Sequence, residues 1–227
     1  MSFVSLRGIK KTYGKGENAF VVLKGVDLDI QKGDFIALMG PSGSGKSTLS
    51  NILGCLDDAD SGVYDFCGVN VCDLSFGEKA RLRRNYFGFI FQSFNLLSKT
   101  TALENVELPL IYKGLKKKER RELAMIALQK VGLERWANHS SAELSGGQQQ
   151  RVAIARALAI SPVFLIADEP TGNLDTQRSI EIMEILQGLN QNEGITILMV
   201  THESDMASYA SREIHFLDGK IQREVKR

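Results

Sequence analysis

The 227-residue sequence predicts an α/β fold: a parallel central sheet, an antiparallel β flank and an inserted α-helical segment. Three observations predict it. Three short apolar runs each end in polar or glycine-rich chemistry, the first ninety residues carry alternating segments, and helical spacing takes over between Gln92 and Ser161.

The apolar runs are Phe35–Met39, Val163–Ala167 and Ile195–Val200. Each is too short for a buried helix, is entered past Gly or Pro, and is apolar on both faces, as strands inside a parallel sheet are. Gly40 and a glycine-rich loop follow the first run, Asp168-Glu169 the second, and Thr201-His202 the third. Open α/β sheets bind ligands outside the carboxyl ends of their strands, so the three exits are expected to converge on one crevice.

Val22, Leu23, Val26, Leu28 and Ile30, then Val63–Phe66 and Tyr86–Phe91, read as strands of the antiparallel flank. Leu123, Ile126, Ala127 and Val131 recur at helical spacing, as do Val152, Ala155, Leu158 and Ala159. The expectation is one domain over 1–227, in which 1–92 and 161–227 form the core with its β flank and 93–160 form a helical subdomain. Near the end, Ile214–Leu217 and Lys220-Ile221 flank Asp218-Gly219, a hairpin signal.

Composition removes several function classes. Lys and Arg number 28 against 27 Asp and Glu, and a net charge of +1 gives no global reason to expect nucleic acid or an anionic membrane as partner. Cys55, Cys67 and Cys72 are odd in number and lack metal-ligand spacing, as reduced thiols of a cytosolic protein would be. No window of about 18 residues is apolar enough to span a membrane, and Met1-Ser2-Phe3 begins no signal-peptide pattern.

Gly40-Pro41-Ser42-Gly43-Ser44-Gly45-Lys46-Ser47-Thr48 fits G-x-x-x-x-G-K-[ST] between an expected strand and the apolar helical face of Leu49, Ile52 and Leu53. Such a loop turns backbone N–H groups toward a β-phosphate, and the helix N-terminus adds partial positive charge. Lys46 reaches the β- and γ-phosphates, and Ser47 offers its hydroxyl to Mg²⁺. Asp168 ends its strand where it can hold Mg²⁺, directly or through water, and Glu169 stands one residue on, suited to orient and deprotonate a water. His202 is the one of three histidines at a strand's carboxyl end, where a neutral imidazole can donate to a phosphate oxygen; His139 and His215 read as structural.

Together with Leu144-Ser145-Gly146-Gly147-Gln148, these residues resemble the ATP-binding cassette (ABC) ATPases, and the resemblance covers essentially the whole chain. It implies a P-loop NTPase (RecA-like) core with ATP as substrate and Mg²⁺ as cofactor. Two copies would pair head to tail, so that Ser145, Gly146, Gly147 and Gln148, at a helix expected to begin near Gln148, meet the nucleotide on the P-loop of the other copy. The same resemblance makes Glu169, His202 and Lys46 catalytic, with Gly40, Ser42, Gly43, Ser44, Gly45, Lys46, Ser47 and Thr48 around the phosphates. Tyr13 matches the aromatic that stacks on adenine, and Gln92 the glutamine that touches Mg²⁺ and links the helical subdomain to the core. Ser47, Gln92 and Asp168 would then be the metal ligands. Asn173, Leu174 and Asp175 match the loop that crosses the dimer interface, although Gly172-Asn173 stands where Ser-Ala is more usual.

Thr101–Gly114, Asn51–Asp57, Phe87–Gln92 and Ala167–Asp175 look like the macrolide-exporter and lipoprotein-release group, which includes ATPases of cell-division and peptide-resistance permeases. That implies a permease partner with few membrane helices and a large extracytoplasmic domain, and a cytoplasmic chain peripheral to the inner membrane. The chain ends at Arg227, so it is expected to be a separate subunit or the cassette of a fused permease. A soluble assembly ATPase and a division-type signalling ATPase remain as rivals. Phe91, Phe94, Leu96 and Leu97 line a permease groove or the subdomain core, and the basic run Lys113–Arg121 reads as a solvated helix entry.

Overall fold

A computed structural model describes residues 2–227. The chain runs through β1 (Val4–Tyr13), β2 (Phe20–Ile30), β3 (Phe35–Met39), α1 (Lys46–Leu53), β4 (Ser61–Phe66) and β5 (Val69–Asn70). Then come α2 (Phe76–Tyr86), β6 (Phe87–Phe91), α3 (Ala102–Tyr112), α4 (Lys117–Lys130) and α5 (Gly146–Leu158). The remainder is β7 (Phe164–Asp168), α6 (Thr176–Glu193), β8 (Thr196–Val200), α7 (Ser204–Ala207), β9 (Arg212–Leu217) and β10 (Lys220–Lys226).

The three apolar runs become β3, β8 and β7, neighbours in a six-stranded sheet ordered β10-β9-β3-β8-β7-β6. Parallel pairs such as Leu38↔Val200 and Asp168↔Val200 bring their carboxyl ends level. The pleat then divides each run between two cores. Ala37, Leu165, Ala167, Ile197 and Met199 pack with the helices, whereas Ile36, Leu38, Ile166, Leu198 and Val200 pack with α1 and a second sheet. That sheet is antiparallel, ordered β2-β1-β4-β5.

Two expectations change. The segment Tyr86–Phe91 does not join the antiparallel flank: β6 pairs parallel to β7, Phe87↔Phe164 through Phe91↔Asp168, at the edge of the main sheet. Its alternation was an artefact of Gly88, which is itself buried, with a notional Cβ 2.8 Å from Leu165; Phe87 and Ile90 are buried on opposite faces. Both faces are therefore covered, as parallel strands require. On α4 the buried stripe is Ala124, Ala127, Leu128 and Val131, and Ile126 is half exposed. The polar face of α2 carries no helical apolar period, although Ser75 and Glu78 form a capping box with S-x-x-E spacing.

The Asp218-Gly219 turn joins β9 to β10 with φ of 49° and 79°, the doubly left-handed geometry of a type I′ hairpin. It also braces the phosphate loop: Gly219 N–H donates to the Ser44 carbonyl at 2.9 Å, and its own carbonyl accepts from Lys24 N–H at 3.0 Å. A Cβ at Gly219 would lie 2.2 Å from the Val22 carbonyl oxygen. Gly219→Ala is therefore expected to cost about 3 kcal/mol and to lower Tm by about 6–12 °C. An unchanged Tm in calorimetry would refute the close approach.

No helix among the described residues is long and apolar enough to cross a membrane. Cys55, Cys67 and Cys72 are free, and burial pushes the Cys55 thiol up to about 12.

Candidate active site

The loop between β3 and α1 packs tightly because Gly40, with φ 150°, passes the Phe216 carbonyl where a Cβ would come within 2.1 Å. Lys46, the first residue of α1, is buried and donates from Nζ to the Gly40 and Pro41 carbonyls, each at 2.8 Å. Burial lowers its pKa, an effect that the nearby charges of Glu169 and Asp168 oppose.

A cavity of about 690 Å³ opens in front of this loop. Ser42, Gly43, Gly45, Lys46, Ser47 and Thr48 form one side, Tyr13 with Phe20 and Val22 another, and Glu169 with His202 a third. Convergence of the three strand exits thus assembles most of the expected residues in one place. Gly40, Ser44, Asp168 and Gln92 do not line it. Ser44 is buried behind the loop with its hydroxyl unpartnered. The Gln92 side chain lies over Gly172, and the Gln92 carbonyl accepts from Asn173 Nδ2 at 2.9 Å.

Asp168 is half-buried at the end of β7; burial raises its pKa, Glu169 raises it further, and Lys46 opposes both. Ser47, Gln92 and Asp168 present only oxygen donors, which suits Mg²⁺. No group of three or more His, Cys, Asp and Glu placed to hold a metal ion occurs among the described residues.

Glu169 turns away from the strand with φ 46°. Its N–H donates to the Val200 carbonyl at 2.9 Å and its carbonyl accepts from Gly172 N–H at 3.1 Å, so the turn is pinned to β8. Its Oε1 lies 3.0 Å from His202 Nδ1. In the tautomer that donates from Nδ1 to Glu169, the neutral ring has only a lone pair at Nε2. A neutral His202 in that tautomer donates to a phosphate oxygen only by releasing Glu169.

The glutamines that follow Gly147 each have a nearby partner. Ser145 caps α5, which starts at Gly146, two residues before the expected start; its hydroxyl accepts from Gln148 N–H while Gln148 Oε1 accepts from Ser145 N–H at 2.9 Å. Gln149 Nε2 donates to the Leu144 carbonyl at 3.0 Å, and buried Gln150 donates to the Pro170 carbonyl, tying α5 to the Glu169 turn. None of Ser145, Gly146, Gly147 and Gln148 lines the cavity of the same chain. Beside them, Leu174 approaches within 3.6 Å of a notional Cβ on Gly146, and Asp175 caps α6 by accepting from Arg178 N–H at 2.9 Å.

Sequence reasoning missed two residues here. Phe20, 64% exposed, pairs with Tyr13 across β1 and β2 and lines the cavity; an aromatic just past the glycine-flanked 14–16 turn was the available signal. Asp57 accepts a hydrogen bond from the Tyr13 hydroxyl and had no local signal.

Residues 23–172 match the ABC transporter family. The chain belongs to that family. This ABC cassette is 48% identical over 227 residues to the ABC transporter ATP-binding protein MJ0796 of Methanocaldococcus jannaschii, covering 98% of the chain and 97% of that relative. It is 51% identical over 218 residues to the macrolide export ATP-binding/permease protein MacB of Marinobacter nauticus, covering 96% of the chain but 34% of that relative. The cassette thus spans about a third of the MacB relative's length. Two dimeric structures of MJ0796, one a post-hydrolysis state bound to ADP and Pi, match it with a TM-score of 0.90 and 47% identity over 98% of each chain. This ABC cassette is accordingly a nucleotide-binding ATPase with the P-loop NTPase fold.

Proposed function

We propose that this ABC ATPase drives a membrane permease of the macrolide-export or lipoprotein-release type through ATP-dependent head-to-tail pairing of two copies. One observation carries the pairing: the capped N-terminus of α5 is built like an anion site, yet Ser145 and Gly146 stand outside their own cavity, as a loop serving another copy's nucleotide would. The dimeric MJ0796 structures support it. The MacB relatives, named as ATP-binding/permease proteins, support a permease partner; in this reading the permease has few membrane helices and a large extracytoplasmic domain, with the cassette on the cytoplasmic face.

In this reading 93–160 is the helical subdomain, and 1–92 with 161–227 the core. Tyr13 stacks on the adenine. Gly40, Ser42, Gly43, Ser44, Gly45 and Thr48 shape or line the phosphate cradle, and Lys46 Nζ exchanges the Gly40 and Pro41 carbonyls for phosphate oxygens. Mg²⁺ held by Ser47, Gln92 and Asp168 would neutralise charge on the β- and γ-phosphates. Glu169 takes a proton from the attacking water, and breakage of the bond between the γ-phosphorus and its bridging oxygen leaves ADP and phosphate. His202, 62% exposed, swings from Glu169 to the γ-phosphate. Ser145, Gly146, Gly147 and Gln148 of the second copy close the site, with Asn173, Leu174 and Asp175 at the seam.

A groove of about 680 Å³ between core and helices is the proposed permease seat; Leu56, Phe89, Pro109 and exposed Tyr112 supply its apolar surface. Phe91 lines its continuation, whereas Leu96 packs against the helical core.

Tagged Glu169→Gln, incubated with ATP and detergent-solubilised membranes, is expected to recover such a permease, identified by mass spectrometry. Recovery of soluble proteins alone would favour an assembly ATPase and overturn the transporter reading.

A further inference from the structure

We propose that Asp57 is a positioning residue for nucleotide binding: anchored by Lys11, it holds the ring of Tyr13 in the orientation that receives the base. This rests on the reading of Tyr13 as the adenine aromatic.

Tyr13 is the last residue of β1, 43% exposed, and is followed by a glycine-flanked turn. A ring there, with two free torsions, has little packing to hold it. Its hydroxyl donates to Asp57 Oδ2 at 2.5 Å. The other carboxylate oxygen, Oδ1, accepts from Lys11 Nζ at 2.7 Å. Lys11 is itself buried, also donates to the Asp58 carbonyl at 2.6 Å, and places its ammonium 5.1 Å from the centre of the Tyr13 ring. Burial works to raise the Asp57 carboxyl, but the bonds from Lys11 and Tyr13 outweigh it and hold the pKa below the ordinary aspartate value.

The anchor is rigid on its other side as well. Thr12 N–H donates to Asp60 Oδ2 at 2.6 Å, and Asp60 N–H donates to the Lys10 carbonyl at 2.9 Å. The 57–60 segment therefore stitches the end of β1 to the chain just after α1. Since α1 begins with Lys46, one rigid piece carries both the phosphate-binding lysine and the anchor of the ring. The separation of base and phosphate subsites is then set before ATP arrives, which spares the ordering cost of binding. Neither Lys11 nor Asp57 lines the nucleotide cavity, so both act through Tyr13.

A staple of β1 to α1 with no bearing on ATP would use the same ion pair, and a ligand without a base separates the two roles. The free cassette is assayed for ATP hydrolysis, and for competitive inhibition by tripolyphosphate. Tyr13→Phe removes only the hydroxyl and leaves the fold unthreatened; Asp57→Ala removes the acceptor. Each is expected to raise KM for ATP about three- to tenfold, with kcat and the tripolyphosphate Ki changed by less than about twofold, and the double variant is expected to be no worse than the worse single. Additive effects, an unchanged KM in Tyr13→Phe, or a Ki that rises with KM would overturn the proposal. Tyr13→Ala separates it from the underlying reading. An unchanged KM there removes Tyr13 from the base site altogether. A raised KM in Tyr13→Ala beside an unchanged one in Tyr13→Phe keeps the base site and removes Asp57.

Discussion

Glu169→Gln is expected to slow ATP hydrolysis by about 100- to 10,000-fold, the usual range for a lost general base, while ATP binding survives. The carboxylate sits just past β7 in a turn pinned by Val200 and Gly172, so its direction is a property of the backbone and the amide inherits it. An amide there still accepts a hydrogen bond but has no basic site for the proton of water. Bound ATP then persists, and the variant should accumulate as an ATP-dependent dimer in size-exclusion chromatography. Hydrolysis near the wild-type rate would move the base elsewhere.

Lys46→Ala is expected to weaken ATP binding by roughly 10- to 100-fold, the equivalent of one or two charge-assisted bonds to phosphate. The loss has two parts. The ammonium that now rests on the Gly40 and Pro41 carbonyls can no longer reach a phosphate oxygen. Lys46 also opposes the burial and the Glu169 charge that raise the Asp168 pKa, so its removal leaves that carboxyl easier to protonate and a poorer oxygen ligand. Calorimetric titration with ATP checks the affinity, and a wild-type Kd would count against the phosphate-loop assignment.

Much of the fold was legible because its signals are local. A run apolar on both faces, such as Ile195–Val200, reports burial on both sides wherever it lies in the chain, and the structure places β8 one residue shorter in the centre of the sheet. Asp218-Gly219 reads as a hairpin because two left-handed residues in sequence leave few alternatives. The segment Tyr86–Phe91 misled because Gly88 carries no side chain to declare that its position is buried. The polar α2 carried no periodicity to read, only its cap.

The sequence by itself determined the groups whose partners lie within a few residues. These are the Lys46 bonds to Gly40 and Pro41 within the glycine-rich loop, the Ser145–Gln148 capping box and the type I′ turn. Their geometry follows from backbone sterics and short-range hydrogen bonds, which a local pattern specifies completely. Tertiary structure alone decided the contacts that cross between strands and sheets. It put β6 beside β7, paired Phe20 with Tyr13, set Asp57 under the Tyr13 hydroxyl 44 residues away, and joined His202 to Glu169 across 33. Such pairs depend on sheet register, where a shift of one residue reverses every side chain, and no spacing along the chain encodes that outcome.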